Sequence, residues 1–186
     1  MEIRATALPD VKLIIPQLFE DERGFFFEAW HAERFREAGL PDRFLQLNHS
    51  RSKRNALRGL HFQVTHPQGK LVRVLSGSIL DVAVDLRPGS PDYASWSSVE
   101  LNDQNRHQLY LPHGFAHGFY VLSRQAEVEY LTTDIYDPAG ERSLLWNDPA
   151  IGIVWPTTTP RLSPKDSSAP RLEELASELE VFRLDR

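Results

Sequence analysis

The chain of 186 residues contains no cysteine. Without a thiol it cannot form disulfides, use a thiolate nucleophile, or hold an iron–sulfur cluster or a cysteine-ligated zinc ion. A chain of this length buries roughly 70% of its unfolded surface, so a single domain over residues 1–186 needs no disulfide or structural metal for stability. The lack of cysteine suits a reducing compartment, and we expect the protein to be cytoplasmic.

Long hydrophobic runs are also missing. No apolar stretch approaches the roughly 18 residues needed to cross a bilayer, and no apolar segment of the signal-peptide kind follows Met1. We therefore expect a soluble protein that is not exported and does not bind membranes.

Acidic residues are absent from one segment of an otherwise acidic chain. The net charge of −5 argues against a general nucleic-acid-binding protein. Between residues 43 and 80, however, seven basic residues occur without any Asp or Glu. This segment favours a site for a small anion such as a diphosphate, and a merely solvated basic edge is the alternative. The seven are Arg43, Arg51, Lys53, Arg54, Arg58, Lys70 and Arg73.

Glycine and proline are spread along the chain and separate short runs of β-branched and aromatic residues, which predicts an all-β protein. We expect an antiparallel β-sandwich or jelly roll with two short peripheral helices, and ligands between the sheets or in the barrel mouth. The helices are predicted over residues 31–38 and 171–182, the second from an apolar stripe at helical spacing. The predicted strands are 11–15, 25–28, 44–50, 57–63, 70–76, 79–86, 96–101, 108–111, 116–122 and 126–133.

Polar residues are densest in the segments QLNHS (46–50), LRGLHFQ (57–63) and QGKLVR (68–73). Here His61 can act as a base near neutral pH, and Lys70 or Arg58 can stabilise the oxyanion formed when a proton is removed next to a carbonyl. A histidine on a strand is more often a hydrogen-bonded structural residue, so these residues alone leave that alternative open.

Two later segments add tyrosines and a Lys–Asp pair. Tyr130 can donate a proton and Tyr136 can stack on a base or sugar, although buried strand tyrosines usually serve the core. Lys165 and Asp166 lie in a loop before the predicted C-terminal helix, where such a pair is usually solvated and inert.

Nine segments, in this order, resemble the dTDP-4-dehydrorhamnose 3,5-epimerase family over about residues 5–175. The resemblance implies a cupin jelly roll, a homodimer with exchanged N-terminal strands, and no cofactor or metal. Several motifs in register are far more specific than any one of them. The nine segments are DERGFF (21–26), QLNHS (46–50), LRGLHFQ (57–63), QGKLVRV (68–74), DVAVDLR (81–87), GFAHGF (114–119), residues 130–136, WNDP (146–149) and LSPKD (162–166).

The resemblance also implies a substrate, dTDP-4-dehydro-6-deoxy-D-glucose, and a product, dTDP-4-dehydro-L-rhamnose, in dTDP-L-rhamnose biosynthesis. The C3 and C5 protons both flank the C4 ketone, so one base and one oxyanion site can serve both carbons. By matching position, His61 is the base, Lys70 stabilises the enolate and Tyr130 returns a proton from the opposite face. Asp166 matches the carboxylate that orients His61, and Asp81 on a neighbouring strand stays an alternative.

Further positions match residues of the family that contact the ligand. Tyr136 matches the aromatic ring that stacks on thymine, and Arg23 and Glu28 are expected to reach into the partner's site. The matching ligand-contacting positions are Arg23, Glu28, Gln46, Asn48, Arg58, His117, Glu141 and Lys165.

Three other functions compete with a 3,5-epimerase. A single-centre epimerase of a deoxysugar pathway shares the chemistry. A non-catalytic nucleotide-sugar-binding jelly roll needs Arg23, His117 and Tyr136 but no base. A metal-dependent cupin oxygenase is disfavoured because Gln63 stands where a second metal-binding histidine belongs and no Glu lies nearby. We therefore expect no metal at His61 and His117.

Three positions test the resemblance. Leu47 stands where the family commonly has Asp, and strand alternation predicts that it points away from the ligand. Asn55 stands where Gly is usual, and Asn tolerates a positive φ. Arg58 and His61 are three residues apart and would face opposite sides of an unbroken strand, so we predict a bulge or kink at Gly59.

Overall fold

The computed structural model describes residues 1–184, within which 13 strands and four short helices occur. The strands are β1 (Glu2–Ala5), β2 (Lys12–Ile15), β3 (Phe19–Asp21), β4 (Gly24–Phe26), β5 (Gln46–Lys53), β6 (Leu57–Gln63), β7 (Lys70–Ser76), β8 (Ser78–Asp85), β9 (Trp96–Asn102), β10 (Gln108–Leu111), β11 (Phe115–Val121), β12 (Gln125–Thr132) and β13 (Glu141–Ser143). The helices are α1 (Ala32–Glu37), α2 (Pro164–Ser167) and two 3-10 helices, Leu172–Leu175 and Leu179–Phe182.

The strands form two antiparallel sheets and a separate β3–β4 hairpin, which confirms the predicted all-β sandwich. The six-stranded sheet has the order β1-β2-β10-β7-β12-β5, and the five-stranded sheet has the order β13-β6-β11-β8-β9. Within residues 1–184 no helix is long and apolar enough to span a membrane.

The main core lies between the two sheets, because alternate residues of facing strands point inward. Val72 and Val128 of the six-stranded sheet pack with Ala83, Phe119 and other residues of the five-stranded sheet, and all four are almost fully buried. Each Å² of apolar surface buried in this cluster contributes roughly 25 cal/mol to stability.

Strand β8 is buried on both faces. Ile79 and Ala83 join the core between the sheets, whereas Val82 and Val84 contribute to a second apolar cluster on the outer side of the five-stranded sheet. Alternate residues of β8 are thus buried on opposite faces, and the outer face is covered by the C-terminal segment.

Helix α1 begins and ends where the sequence predicts a helix. The His31 side chain accepts a hydrogen bond from the Arg34 backbone N–H at the N-terminus, and Gly39 beyond the C-terminus takes a φ of +72°. Phe35 and Leu40 pack with Ile14 and Leu71 on the outer face of the six-stranded sheet.

The prediction of an α-helix over residues 171–182 is wrong, because two 3-10 helices form there instead. The apolar stripe is nevertheless buried as expected. Spacings of three and four residues fit successive 3-10 turns as well as one α-helix, so the stripe predicts burial without fixing the helix type. The stripe is Leu172, Leu175, Leu179 and Phe182, all at most 7% exposed.

Candidate active site

A cavity of about 640 Å³ opens between the two sheets and collects most of the predicted site residues. Its walls come from β5, β6, β7, β11, β12 and β13, from the loop after β12, and from α2 with the loop before it. Eleven of the thirteen predicted site residues line it, namely Gln46, Asn48, Arg58, His61, Lys70, His117, Tyr130, Tyr136, Glu141, Lys165 and Asp166.

A bulge at Gly59 brings Arg58 and His61 to the same cavity, as predicted. His61 pairs with His117, but Arg58 pairs with Phe119, so the register of β6 against β11 shifts between them. Gly59 has a φ of +113°, and a Cβ there would lie 2.6 Å from the Gly118 Cα. Only glycine satisfies both conditions.

His61 and Asp166 form a close pair at the side of the cavity. The His61 Nε2 lies 2.6 Å from the Asp166 Oδ1, and the Asp166 side chain is 5% exposed. Burial alone raises the pKa of Asp166, but hydrogen bonds from His61, Ser163 and the Gly59 backbone hold that pKa below its usual value. An ionised carboxylate only accepts hydrogen bonds, so Nε2 carries the proton.

Helix α2 positions this carboxylate, although a loop is predicted there. Pro164 occupies the first turn and the Ser163 hydroxyl accepts a hydrogen bond from the Asp166 backbone N–H at 3.1 Å. A serine N-cap followed by proline is a helix-start signal that could have been recognised from the sequence.

Asp81, the alternative partner for His61, contacts His117 instead. Its carboxylate oxygens lie 2.9 and 3.0 Å from the His117 Nε2, and both side chains are buried. On geometry, Asp166 is therefore the partner of His61, and His117 is held by a carboxylate of its own.

Lys70 is the buried cation of the cavity. It is 8% exposed, and its Nζ donates a hydrogen bond to the His61 carbonyl oxygen at 3.2 Å. Burial lowers the pKa of Lys70 to about 8, and the nearby Asp81 and Glu141 charges oppose that shift. At neutral pH the ammonium group is charged, but the nearby carboxylates only partly offset the cost of burying that charge. The group is therefore suited to stabilise new negative charge.

The two tyrosines occupy different environments. Tyr130 on β12 is mostly buried and its pKa is raised by that burial, so it is a protonated donor at neutral pH. Tyr136 is 46% exposed at the mouth of the cavity, and its hydroxyl donates to the Glu141 Oε2 at 2.9 Å. The Tyr136 backbone N–H donates to the Gln46 Oε1 at 2.9 Å, which fixes the loop that carries the ring.

Glu141 links this mouth to α2. Burial alone raises its pKa, but hydrogen bonds from Lys165 and Tyr136 hold the pKa below the usual value. The Lys165 ammonium forms an ion pair with the same carboxylate. The two residues of the Lys–Asp pair therefore have separate partners: Lys165 pairs with Glu141, and Asp166 pairs with His61.

The cavity is more basic than its predicted residues alone suggest. Its lining contains six Lys or Arg side chains but only two carboxylates, Glu141 and Asp166. Arg161 was missed by the sequence analysis because it comes from an irregular segment, which reaches the site by pairing with Ala56. The six cations are Arg51, Lys53, Arg58, Lys70, Arg161 and Lys165.

The remaining expectations concern residues outside this cavity. Leu47 is 58% exposed on the opposite face of β5, and Asn55 has a φ of +66°, as predicted. Arg23 and Glu28 do not line the cavity of their own chain. Arg23 pairs with Asp21 and is 85% exposed, while Glu28 pairs with Arg34.

Metal-ligating side chains do not converge in the described part of the chain: no group of three or more His, Asp or Glu is placed to hold an ion. His61 and His117 each pair with a carboxylate instead.

The two-sheet fold with a basic cavity between the sheets defines a jelly-roll protein of the cupin type. A family model described as dTDP-4-dehydrorhamnose 3,5-epimerase matches residues 5–174. The chain belongs to this family, and it is an isomerase-class enzyme.

Relatives and solved structures agree with this placement. The chain is 51% identical over 177 residues to the dTDP-4-dehydrorhamnose 3,5-epimerase of Salmonella typhimurium, covering 94% of this chain and 97% of the relative. It is 56% identical over 167 residues to that of Neisseria gonorrhoeae, covering 89% of this chain but only 51% of the relative. The crystal structure of dTDP-6-deoxy-D-glucose-3,5-epimerase from Legionella pneumophila, in complex with dTDP-4-keto-L-rhamnose, matches with a TM-score of 0.95 and 46% identity, covering 100% of this chain and 99% of that one.

Proposed function

We propose that this protein inverts C3 and C5 of dTDP-4-dehydro-6-deoxy-D-glucose and produces dTDP-4-dehydro-L-rhamnose, the precursor that a reductase converts to dTDP-L-rhamnose. The observation that carries the proposal is the 2.6 Å contact between His61 and Asp166 in the cavity that also holds Lys70 and Tyr130. These groups supply a base, a fixed cation and a proton donor, which proton transfer next to a ketone requires.

His61 removes the proton in this mechanism. Because Asp166 accepts the Nε2 proton, Nδ1 is the ring nitrogen whose lone pair faces the substrate. The imidazolium that forms is stabilised by the Asp166 carboxylate. The electron pair of the broken C–H bond moves into the ketone, and the resulting enolate oxygen is stabilised by the Lys70 ammonium.

Tyr130 returns the proton from the other side. It lies on the six-stranded sheet, whereas His61 lies on the five-stranded sheet, so the two side chains enter the cavity from opposite walls. Protonation from the face opposite to abstraction inverts the carbon. The same pair serves C3 and C5 in turn, because both carbons flank the same ketone. Between the two inversions His61 releases its proton to solvent and Tyr130 takes one up from solvent.

The nucleotide end of the substrate is bound at the basic and aromatic parts of the cavity. The cationic lining favours a diphosphate, and Arg58 presents a planar guanidinium suited to phosphate oxygens. Tyr136 at the mouth stacks on the thymine ring. Gln46, Asn48, His117, Glu141 and Lys165 provide the remaining polar contacts.

The protein functions as a cytoplasmic homodimer in this proposal. The exchanged N-terminal strands of one protomer carry Arg23 and Glu28 to the partner's cavity, which agrees with their exposure outside the cavity of their own chain. Each complete site therefore contains residues from both copies.

Solvent-exchange labelling tests this function. Incubation with the 4-keto sugar in deuterated water is expected to place deuterium at both C3 and C5, as followed by NMR. His61→Ala should abolish the exchange, whereas His113→Ala, an exposed histidine before β11, should exchange like the wild type. Unchanged exchange in His61→Ala would remove His61 as the base.

A single-centre epimerase is the second candidate, because one relative with 43% identity, from Streptomyces niveus, is named dTDP-4-dehydrorhamnose 3-epimerase. Deuterium at one carbon only would select this reaction. Binding of dTDP without any exchange would instead indicate a non-catalytic nucleotide-sugar-binding protein.

A further inference from the structure

Gln63 is a buried polar residue of the cavity that the proposed mechanism does not use. Its side chain lines the cavity and is 5% exposed. The Oε1 atom is inaccessible and has no hydrogen-bond partner within residues 1–184. Burying an amide oxygen without a partner is costly, so native proteins almost always satisfy such an atom.

Unpartnered atoms of this kind concentrate at one place in the fold. Three buried side-chain atoms lack a partner in the described part of the chain: Ser50 Oγ, Gln63 Oε1 and Ser143 Oγ. Ser50 and Gln63 line the cavity, and Ser143 lies directly opposite His61 in the ladder between β13 and β6. The location of Ser50 and Gln63 indicates that their missing partners come from what the cavity binds.

The position of Gln63 indicates which part of the substrate it meets. It follows His61 by two residues on β6, so both side chains face the same way at a spacing of roughly 6.6 Å. Like Lys70 it is almost fully buried, and its backbone lies opposite Glu141 in the ladder between β13 and β6. The sugar has to lie beside His61 for its proton to be removed, so Gln63, two residues along the same strand, lies within reach of the sugar.

We propose that the Gln63 carboxamide binds a hydroxyl group of the 4-keto sugar and positions the ring over His61. Rotation about the last side-chain bond of glutamine is soft, so either the oxygen or the NH₂ group can turn to the cavity. The carboxamide accepts from or donates to the hydroxyl accordingly. This substrate-positioning role rests on the proposed function and adds a specificity residue to it.

Gln63→Met tests this role, because methionine has nearly the same shape but cannot hydrogen bond. We expect kcat/KM for the dTDP-4-keto sugar to fall about tenfold, as for the loss of one uncharged hydrogen bond. The affinity for dTDP, which lacks the sugar, should stay within about twofold of wild type. The melting temperature should be unchanged or higher, because replacing an unpartnered buried amide by an apolar group is not destabilising.

Gln68→Met is the matched control. Gln68 lines the same cavity, but its Nε2 donates to the Asp134 carbonyl oxygen at 2.9 Å and supports the loop that carries Tyr136. Its replacement should weaken dTDP binding and lower the melting temperature, the opposite signature to that of Gln63→Met. Gln63→Asn, which keeps the amide but shortens the side chain by one methylene, replaces Gln63→Met if the latter does not fold.

The outcomes separate this inference from the proposed function. If the wild type exchanges deuterium at C3 and C5 but Gln63→Met and Gln63→Asn keep its kcat/KM within twofold, the role of Gln63 is overturned and the epimerase stands. An equal loss of dTDP affinity, or a lower melting temperature in Gln63→Met, also overturns it, because the amide then serves the nucleotide or the fold. A wild type without exchange rejects the proposed function itself.

Discussion

His61 and Asp166 lie 105 residues apart in the chain, yet the His61 Nε2 and the Asp166 Oδ1 are 2.6 Å apart. Strand β6 supplies the histidine, and the one-turn helix α2 supplies the carboxylate. The Gly59 backbone N–H donates to the same carboxylate, so the bulge that turns His61 towards the cavity also helps to position Asp166.

Asp166→Asn tests the orientation of His61. The asparagine amide can present its NH₂ group to Nε2, which favours the tautomer with the proton on Nδ1 and blocks the base. We expect deuterium exchange at C3 and C5 to fall by about 10² to 10⁴, with dTDP affinity little changed. Asp42→Asn, at an exposed position, should exchange like the wild type. Wild-type exchange in Asp166→Asn would show that His61 needs no carboxylate.

The pKa of Lys70 predicts an alkaline limit to activity. Burial lowers this pKa to about 8, so the ammonium group is present below that pH and is lost as the pH rises through it. We expect kcat/KM, measured between about pH 6 and pH 10, to decline above about pH 8. Lys70→Arg keeps its charge across this range and should lose the alkaline decline, though at a lower rate. The same decline in Lys70→Arg would assign it to another group.

Subunit complementation tests the exchange of N-terminal strands. Arg23→Ala and His61→Ala are each expected to be inactive alone. In a mixed dimer one cavity combines the intact His61 of one chain with the intact Arg23 of the other. Random mixing should therefore restore activity to about a quarter of wild type. Activity that stays at the level of the separate variants after subunit exchange would place Arg23 outside the partner's site.

Replacing Gly59 by alanine is expected to be far more harmful than replacing Gly152. Both have a positive φ, but a Cβ on Gly59 meets the Gly118 Cα at 2.6 Å and the His117 oxygen at 2.7 Å, whereas a Cβ on Gly152 meets nothing within 4 Å. Gly152→Ala should cost about 1 kcal/mol of unfolding free energy from backbone strain alone.

Gly59→Ala adds a backbone clash to the same strain, so we expect a loss of about 3 kcal/mol or more, seen as a lower melting temperature. Equal melting temperatures for the two variants would show that the bulge tolerates a side chain. The variant should also lose activity, because Arg58 and His61 depend on the bulge to face one cavity.

The strands and the central site residues could be predicted because their signals are local. The alternation along β8 and the glycine between Arg58 and His61 are both visible in the sequence. The short strands β1, β3 and β13 were not predicted, because three or four residues are too few for a periodic pattern, although Glu141 in β13 was identified by resemblance.

Other features depend on tertiary contacts that no local pattern encodes. Asp81 and Asp166 were equally plausible partners for His61 until the fold placed one beside His117 and the other beside His61. Arg161 enters the cavity only because its backbone pairs with residues 55–57. The unpartnered oxygen of Gln63 likewise becomes visible only once every neighbouring donor has been placed.

The uneven distribution of charge has a consequence for how the substrate arrives. At long range, a dianionic sugar nucleotide approaches a molecule with a net charge of −5 and is repelled. At the ionic strength of a cell, interactions beyond about 8 Å are screened, while the cations inside the cavity still act at contact distance. Capture of the substrate therefore depends on the short-range field of the six cavity cations, and salt that screens this field should slow capture despite the acidic net charge.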